Sequence, residues 1–404
     1  MPRPRCKRNE YSGEECRKVA VKGGKFCSTQ CRRRVSYLKS LSSDKKIDKR
    51  GSHESKSRGA KYPDFVQYYA ADIENKKKTH QQVADLLEID RSQITRMYSA
   101  YLEDKENFEA QQDWSISEDT VESLKDFKEF RDRYFKTETG DLYETAEFHE
   151  NWINNIVDAI ENGKQQMILS PPRHGKTDLL THFAVWQICN NPNIRIMWVG
   201  GNEDIAKNAV GAVLDHLENN EQLNEEINGP GVKFQPKVRS GKSWSSGQFT
   251  IGTRTVTGIK SPTMVAVGKG GKILSRDCDL IIADDIEDHG TTIQPSAREQ
   301  TRQWWTTTLS SRKEEHTAVV VIGSRQHPED LYNFLLENPE FETIVEEAHS
   351  TECILPETEI EEHKDCMLWA SKRTYKWLMS QKNNADTTGG RAIYEMVYLN
   401  KAFV

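Results

Sequence analysis

The stretch Ser170-Pro-Pro-Arg-His-Gly-Lys-Thr177 sets a lysine and a hydroxyl directly after a glycine, between an apolar run and an amphipathic one. Those residue types at that spacing suit a polyphosphate. Glycine lets backbone N–H groups close on phosphate oxygens, and the N-terminus of the following helix adds partial positive charge. In such a loop Lys176 bridges β- and γ-phosphates, and the Thr177 hydroxyl sits on Mg²⁺. The pattern is G-x-x-x-x-G-K-[ST] except at its first position, where Ser170 replaces glycine and Pro171-Pro172 stiffen the entry. The expected nucleotide contacts are Ser170, Pro171, Pro172, Arg173, His174, Gly175, Lys176 and Thr177. Arg173 either stabilises γ-phosphate charge or is a solvated loop arginine.

Such a loop needs a carboxylate on a neighbouring strand. Asp279-Leu-Ile-Ile-Ala-Asp-Asp285 supplies an apolar run that ends in two acids. Asp284, at the tip, is expected to hold the Mg²⁺ shell, and the next acid to polarise the attacking water. Asp285 stands where glutamate is usual, so Glu287, two residues on, is the other candidate for that role. The competing reading is a strand followed by a helix cap, since aspartate is a common N-cap. A third polar segment, Gly323-Ser-Arg-Gln-His-Pro-Glu-Asp-Leu331, also follows an apolar run. At the carboxyl edge of a doubly wound sheet it would face the ligand crevice, with Ser324 or Arg325 sensing the γ-phosphate. Pro328, Glu329 and Asp330 equally read as a helix start.

The elements that must carry these groups alternate. Gln166–Ser170, Arg195–Gly200, Leu280–Ala283 and Ala318–Gly323 read as buried strands. Asp178–Cys189, Glu203–Asn219 and Pro328–Glu337 have helical spacing, and Gly268-Lys-Gly-Gly-Lys272 is a loop signal. This predicts an α/β fold with a mostly parallel sheet over 140–404. A chain of 404 residues leaves room for two or three domains. No run approaches the roughly 18 apolar residues a membrane helix needs, so a spanning protein is excluded at this level. The N-terminus has no apolar core of a signal peptide, and eight cysteines are too sparse for a disulfide scaffold. Reducing cytosol is the expected compartment.

Charge is uneven. Residues 1–62 hold 19 Lys+Arg against 6 Asp+Glu, and the remainder 37 against 56. A basic arm in front of an acidic body points to nucleic acid, or to a solvated tail. Within the arm, Cys6-x9-Cys16-x10-Cys27-x3-Cys31 offers four soft ligands suited to tetrahedral Zn²⁺, making 1–36 a zinc-binding basic module. Unligated thiols and a disulfide are the alternatives. Residues 37–60 read as a flexible linker. His80–Tyr98, inside a 61–108 module, resembles a helix-turn-helix: Ala84 is the small inward position, and Val83, Leu87, Ile89 and Ile94 pack. Asp90 caps the second helix, from which Arg91, Ser92, Gln93, Thr95 and Arg96 would project toward a DNA groove; an amphipathic helical hairpin that serves only for packing is the alternative. Glu88 occupies the turn position where glycine is common. An acidic helical bridge, 109–139, leads into the large domain.

Together the motifs of 148–398 resemble the ATPase domain of phage terminase large subunits. The resemblance rests on Pro171–Thr177, Trp198-Val-Gly-Gly-Asn-Glu-Asp-Ile-Ala206, Asp279–Asp285 and Gly323–Leu331. It implies a P-loop (RecA/ASCE-like) fold, ATP and Mg²⁺ as cofactors, and ATP-driven translocation of double-stranded DNA into a procapsid. It further implies a homo-oligomeric ring, a portal, and small-terminase and separate nuclease partners in the host cytoplasm. In the family the last motif often reads Thr-Arg-Trp-His and couples hydrolysis to movement; Ser324 and Gln326 depart from it. The run Ala392–Asn400 looks like the junction before the family's nuclease domain, so cleavage by these residues is not expected; a truncated chain, a split gene or a separate nuclease subunit would each account for it. Rival readings are a helicase-like translocase and an ATP-gated DNA-binding regulator. Lesser expectations are an adenine contact or plain packing at Phe148-His149, DNA phosphate contacts or simple solvation at Lys269 and Lys272, and a reach to a neighbouring nucleotide by Arg276. Trp304-Trp305 reads as helix core, and Cys189, Cys278, Cys353 and Cys366 as structural thiols.

Overall fold

The structure is a computed structural model and describes residues 61–401, apart from 238–239, 272 and 274–276. The cysteine set Cys6, Cys16, Cys27 and Cys31, the 37–60 linker, Lys272 and Arg276 lie outside the described residues. The chain divides into two compact units, Met1–Phe108 and Glu109–Val404.

In the first unit, short helices Tyr62–Tyr68 and Ala70–Glu74 precede His80–Leu87 and the start of Arg91–Asp113. Thr79 and Gln82 form a reciprocal capping box that starts the third helix. Glu88 ends it in the left-handed region (φ 54°), at the position flagged by the sequence as unusual for a non-glycine. Asp90 Oδ1 accepts from Ser92 N at 2.7 Å and so caps the next helix. Phe65, Ala70, Val83, Ala84, Ile94 and Met97 form the core. Arg91, Ser92, Gln93, Thr95 and Arg96 are all exposed.

The second unit is built on one eight-stranded sheet. Its strands are β1 (Gln165–Leu169), β2 (Ile196–Gly200), β3 (Trp244–Ser245), β4 (Gln248–Phe249), β5 (Met264–Gly268), β6 (Leu280–Asp284), β7 (Ala318–Gly323) and β8 (Phe341–Val345). Their order is β3-β4-β5-β2-β6-β7-β1-β8. The six strands from β5 to β8 pair in parallel, and the short β3-β4 hairpin adds antiparallel to β5. β1, β2, β6 and β7 are buried along their whole length, which is why they read as continuous apolar runs.

Alternate residues feed two cores. Ile168, Trp198, Ile282 and Val320 pack on one face with Phe127, Phe130, Trp152, Phe183 and Val210. Met167, Val199, Ile281 and Val321 pack on the other with Trp304, Trp305 and Tyr332. Trp304 and Trp305 are adjacent in sequence yet both buried, because the helix Pro295–Trp304 passes into a π turn at Trp305–Leu309. The segment read as a bridge, 109–139, behaves differently from a linker: helices Glu118–Lys125 and Phe127–Tyr134 put Phe127, Phe130, Tyr134 and the following Phe135 into the sheet's core.

Register aligns the strand ends that matter. Leu169 pairs with Gly323, Asp284 with Ile322, and Gly200 with both Asp284 and Gly268. β7 therefore lies between the strand entering the glycine-lysine loop and the strand ending in the acids. Gly323 closes β7 under tight packing: a Cβ there would sit 2.3 Å from Tyr332 Oη, and Tyr332 is fully buried. Gly323→Ala is expected to destabilise the fold by about 1–3 kcal/mol through overpacking. Urea titration would show this as a lowered midpoint at unchanged slope; an unshifted midpoint would mean the ring moves aside freely.

Candidate active site

Three loops meet at the carboxyl edge of the sheet. Ser170–Gly175 leaves β1, Asp285–Asp288 leaves β6, and Ser324–Asp330 leaves β7. Ladder hydrogen bonds continue past the strand ends, from Ser170 N to Gly323 O (2.8 Å) and from Asp285 N to Ile322 O (2.9 Å). The three loops are thus held in one register by backbone bonds before any side chain acts.

The first loop opens the helix Lys176–Asn190, with Gly175 at its N-cap in the left-handed region (φ 76°). Glycine is needed twice over here. Its φ disfavours a side chain, and a Cβ would lie 3.2 Å from His149 Nε2. Arg173, exposed, also has positive φ (63°). His149 Nδ1 accepts from Ala146 N at 3.1 Å, so its Nε2–H donates to His174 O at 2.9 Å and pins the loop. His174 in turn donates from Nδ1 to Pro172 O at 3.0 Å. Burial holds both imidazoles down to about 4, hence neutral. The Phe148-His149 pair is therefore loop support, packed among Trp152, His174 and Trp369.

Lys176 is 5% exposed, and its Nζ donates to Ser170 O (3.2 Å) and Pro171 O (3.1 Å). Asp285 Oδ2 lies 4.0 Å away. Thr177 Oγ1 donates to Asp284 Oδ2 at 2.8 Å, which brings together the two groups expected to share a cation. Asp284 is 3% exposed, and burial followed by the neighbouring Asp285 charge pushes its carboxyl up. Its Oδ1 has no hydrogen-bond partner, and neither do the buried Ser170 Oγ and His174 Nε2. Buried polar atoms left unsatisfied are rare. Three of them around one glycine-lysine-threonine loop mark a place for a polar ligand, and a carboxylate beside a hydroxyl is a hard-oxygen donor set suited to Mg²⁺.

The two acids considered for water activation differ. Glu287 is buried; its Oε2 pairs with Lys269 Nζ at 3.0 Å, and its Oε1 accepts from Leu331 N at 3.1 Å. Burial raises its pKa, against Lys269, which lowers it. Both oxygens are committed. Lys269 is likewise held by Glu287 and Thr291, so the expectation of a DNA phosphate contact does not fit it. Asp285 is half-buried, with a left-handed φ of 42°. In the third loop Ser324 is buried and its Oγ accepts from Gln326 Nε2 at 3.0 Å. Arg325 is closed inside its own loop by Asp330, His327 O, Pro328 O and Asn333 Oδ1. That leaves its guanidinium poorly placed for the phosphate contact expected of it.

Two neighbours were not singled out by the sequence. Trp369 donates to Glu144 Oε1 at 2.8 Å and sets its ring edge-on to Phe148 and His149. Arg373 Nε donates to Arg173 O at 3.0 Å, adding a third cation at the loop. Neither lies in a recognisable motif. Two surface cavities, of about 570 and 280 Å³, lie elsewhere, the first lined by Lys164, Gln165, Lys313 and Thr317 at the opposite strand ends.

Two phage large terminases are among the solved structures that the fold resembles. Residues spanning 69% of the chain align with 55% of the HK97 bacteriophage large terminase, at TM-score 0.44 and 15% identity. The chain thus spans little more than half of that protein's length. A mutant of the Thermus phage P74-26 large terminase ATPase domain aligns over its full length with 72% of this chain, at TM-score 0.38 and 14% identity. No protein-family model and no curated protein matches the sequence. At this distance the likeness says nothing of function, which rests on the site.

Proposed function

We propose that the chain is an ATP-hydrolysing DNA-translocating motor of the phage large-terminase kind. One observation carries the hydrolytic part: the Thr177 hydroxyl of the glycine-lysine loop is bonded to the buried tip acid Asp284, whose second oxygen is unpartnered. Mg²⁺-ATP supplies the phosphoanhydride and the charge neutralisation of the transferred phosphoryl group. The chain's residues do the rest. Lys176 would exchange its two carbonyl partners for phosphate oxygens, and the N–H groups of Gly175 to Thr177 would face the same oxygens. Thr177 and Asp284 would hold the cation. Asp285 would orient the attacking water and take its proton on a carboxylate oxygen. Glu287 is assigned a positioning role, tying the acid loop to Lys269 and to the helix after β7. Arg173 and Arg373 would offset phosphate charge at the mouth.

Translocation is inferred from the resemblance and from the basic N-terminal region. Arg91, Ser92, Gln93, Thr95 and Arg96 form an exposed polar face on a helix entered by a capped turn, as groove-reading helices require. Double-stranded DNA, a ring of identical subunits and a portal are the partners this function implies. The deciding experiment is ATP hydrolysis by the purified chain with and without duplex DNA, with Lys176→Ala as the blank. Mg²⁺-dependent turnover that rises with DNA, and falls to the blank on chelation, supports the motor. Tight, sequence-specific DNA binding with turnover no higher than the blank would favour a nucleotide-gated DNA-binding regulator instead.

A further inference from the structure

Behind β8 the chain doubles back on itself. Residues 348–350 pair antiparallel with 366–368 through Leu368 N to Ala348 O (3.1 Å) and Ser350 N to Cys366 O (2.8 Å), with His349 opposite Met367. A turn closed by Cys353 N to Ser350 O (3.2 Å) brings Cys353 back toward His349. On the other arm the short 3₁₀ helix Glu362–Cys366 spaces His363 and Cys366 by three, which places them on one side. The result gathers His349, Cys353, His363 and Cys366, with one ligand atom from each, all within 4.8 Å of one another. His349 Nε2 lies 2.9 Å from His363 Nδ1, and Cys353 Sγ lies 3.6 Å from that same nitrogen.

We propose that His349, Cys353, His363 and Cys366 bind one zinc ion as a closed, tetrahedral structural site. Two imidazole nitrogens and two thiolates are a common donor set for Zn²⁺. With metal–nitrogen and metal–sulfur bonds of about 2.0–2.3 Å, ligand atoms sit roughly 3.3–3.8 Å apart. The His349–His363 and Cys353–His363 separations fall close to that range before any metal draws them together. His363 is oriented for ligation. Its Nε2–H donates to Pro356 O at 3.1 Å, which leaves the Nδ1 lone pair facing the other three groups. Tyr375 stacks on the same ring at 3.7 Å and fixes its plane. Cys353 and Cys366 are bonded to each other in the structure, the oxidised alternative of the pair. A disulfide by itself has no use for two convergent imidazoles.

The metal takes the dithiol form, which a thiol reductant regenerates from the disulfide by delivering two electrons and two protons. Binding of Zn²⁺ then releases the two thiol protons to solvent, and the two thiolates balance the ion's charge. Four protein ligands leave no open position, so the role is structural. The clip ends at Cys366, just before Trp369 and Arg373, the residues that reach His149 and the Arg173 carbonyl. It would hold that arm against the glycine-lysine loop. This last consequence rests on the function proposed above; the metal site does not.

The test uses the full chain, purified under reducing conditions. A Cys27→Ser, Cys31→Ser variant removes half of the N-terminal cysteine set, and it should retain one equivalent of zinc. Replacement by Co²⁺ should give the intense visible bands of tetrahedral coordination, with thiolate-to-cobalt charge transfer. Adding Cys353→Ser should abolish both. Should that variant fail to fold, alkylation of the Cys27→Ser, Cys31→Ser chain keeps the question open to decision: Cys353 and Cys366 should be protected until a chelator is added. A fully reduced chain that takes up no Co²⁺, or one whose Cys353 and Cys366 alkylate at the same rate with and without chelator, would overturn the proposal. None of these readouts depends on ATP turnover, so failure here and failure of the motor reading are distinguishable.

Discussion

Asp285→Asn is expected to lower ATP turnover by about 10²–10⁴-fold, the contribution of a positioned general base, while nucleotide affinity and thermal stability stay near wild type. The substitution removes the basic oxygen and little else. Asparagine keeps the shape, and it tolerates the left-handed backbone at φ 42° as well as aspartate does. The backbone bond from residue 285 to Ile322 O is untouched. Lys176 loses a carboxylate 4.0 Å away but retains both carbonyl partners.

Glu287→Gln supplies the contrast. Both oxygens of Glu287 are engaged, one with Lys269 and one with Leu331 N, so its neutralisation takes from Lys269 its close, buried countercharge and leaves only Asp288 Oδ2 at 4.0 Å. That variant should lose stability, with any fall in turnover following the fraction folded. Single-turnover hydrolysis beside a melting curve separates the two. A Glu287→Gln chain that melts normally but does not hydrolyse, beside an active Asp285→Asn, would reverse the assignment.

Much of the parallel sheet was legible because burial on both faces writes itself as unbroken apolar sequence. Ala318–Gly323 is β7 to the residue, and Glu203–Asn219 is a helix to the residue. β8 was not legible. It is an edge strand with Glu342, Thr343 and Val345 exposed, so its sequence neither alternates cleanly nor stays apolar. β3 and β4 are two residues each, too short for any period to show. In the site, the glycine-lysine loop and the tip acid were readable because local spacing encodes their geometry. What separates Asp285 from Glu287 is not local: it depends on Lys269 and Leu331, brought in by β5 and by the segment after β7. Trp369, Arg373 and the four-residue His/Cys group were invisible for the same reason. Cys353 and Cys366 read as scattered thiols because only the antiparallel return of 366–368 along 348–350 makes them neighbours.

The loop after β7 carries the second large effect. Asp330→Ala is expected to destabilise the protein by about 3–5 kcal/mol, the cost of leaving a buried charge without its partner. Arg325 is 3% exposed and Asp330 0%, and Arg325 Nε lies 3.1 Å from both carboxylate oxygens. The carboxylate does more than pair. Oδ2 accepts from Gln326 N (2.9 Å) and His327 N (3.2 Å), and Oδ1 accepts from Asn333 N (2.9 Å) as the N-cap of helix Leu331–Leu336. Truncation orphans three backbone donors and removes the countercharge of the guanidinium, whose Nη2 keeps only neutral partners in His327 O, Pro328 O and Asn333 Oδ1. Arg325→Ala should cost a similar amount, since it leaves the buried carboxylate without its countercharge. The double substitution should cost clearly less than the two together, because each single loss already contains the unpaired partner. Denaturant titration of the four proteins closes the cycle. Additive losses, or single losses below about 1 kcal/mol, would mean that water reaches the pair and solvates it. A coupled cycle would instead assign Arg325 a positioning role: with Asp330 it closes the loop that follows β7, beside the glycine-lysine loop, tying it to the His327 and Pro328 carbonyls and to Asn333.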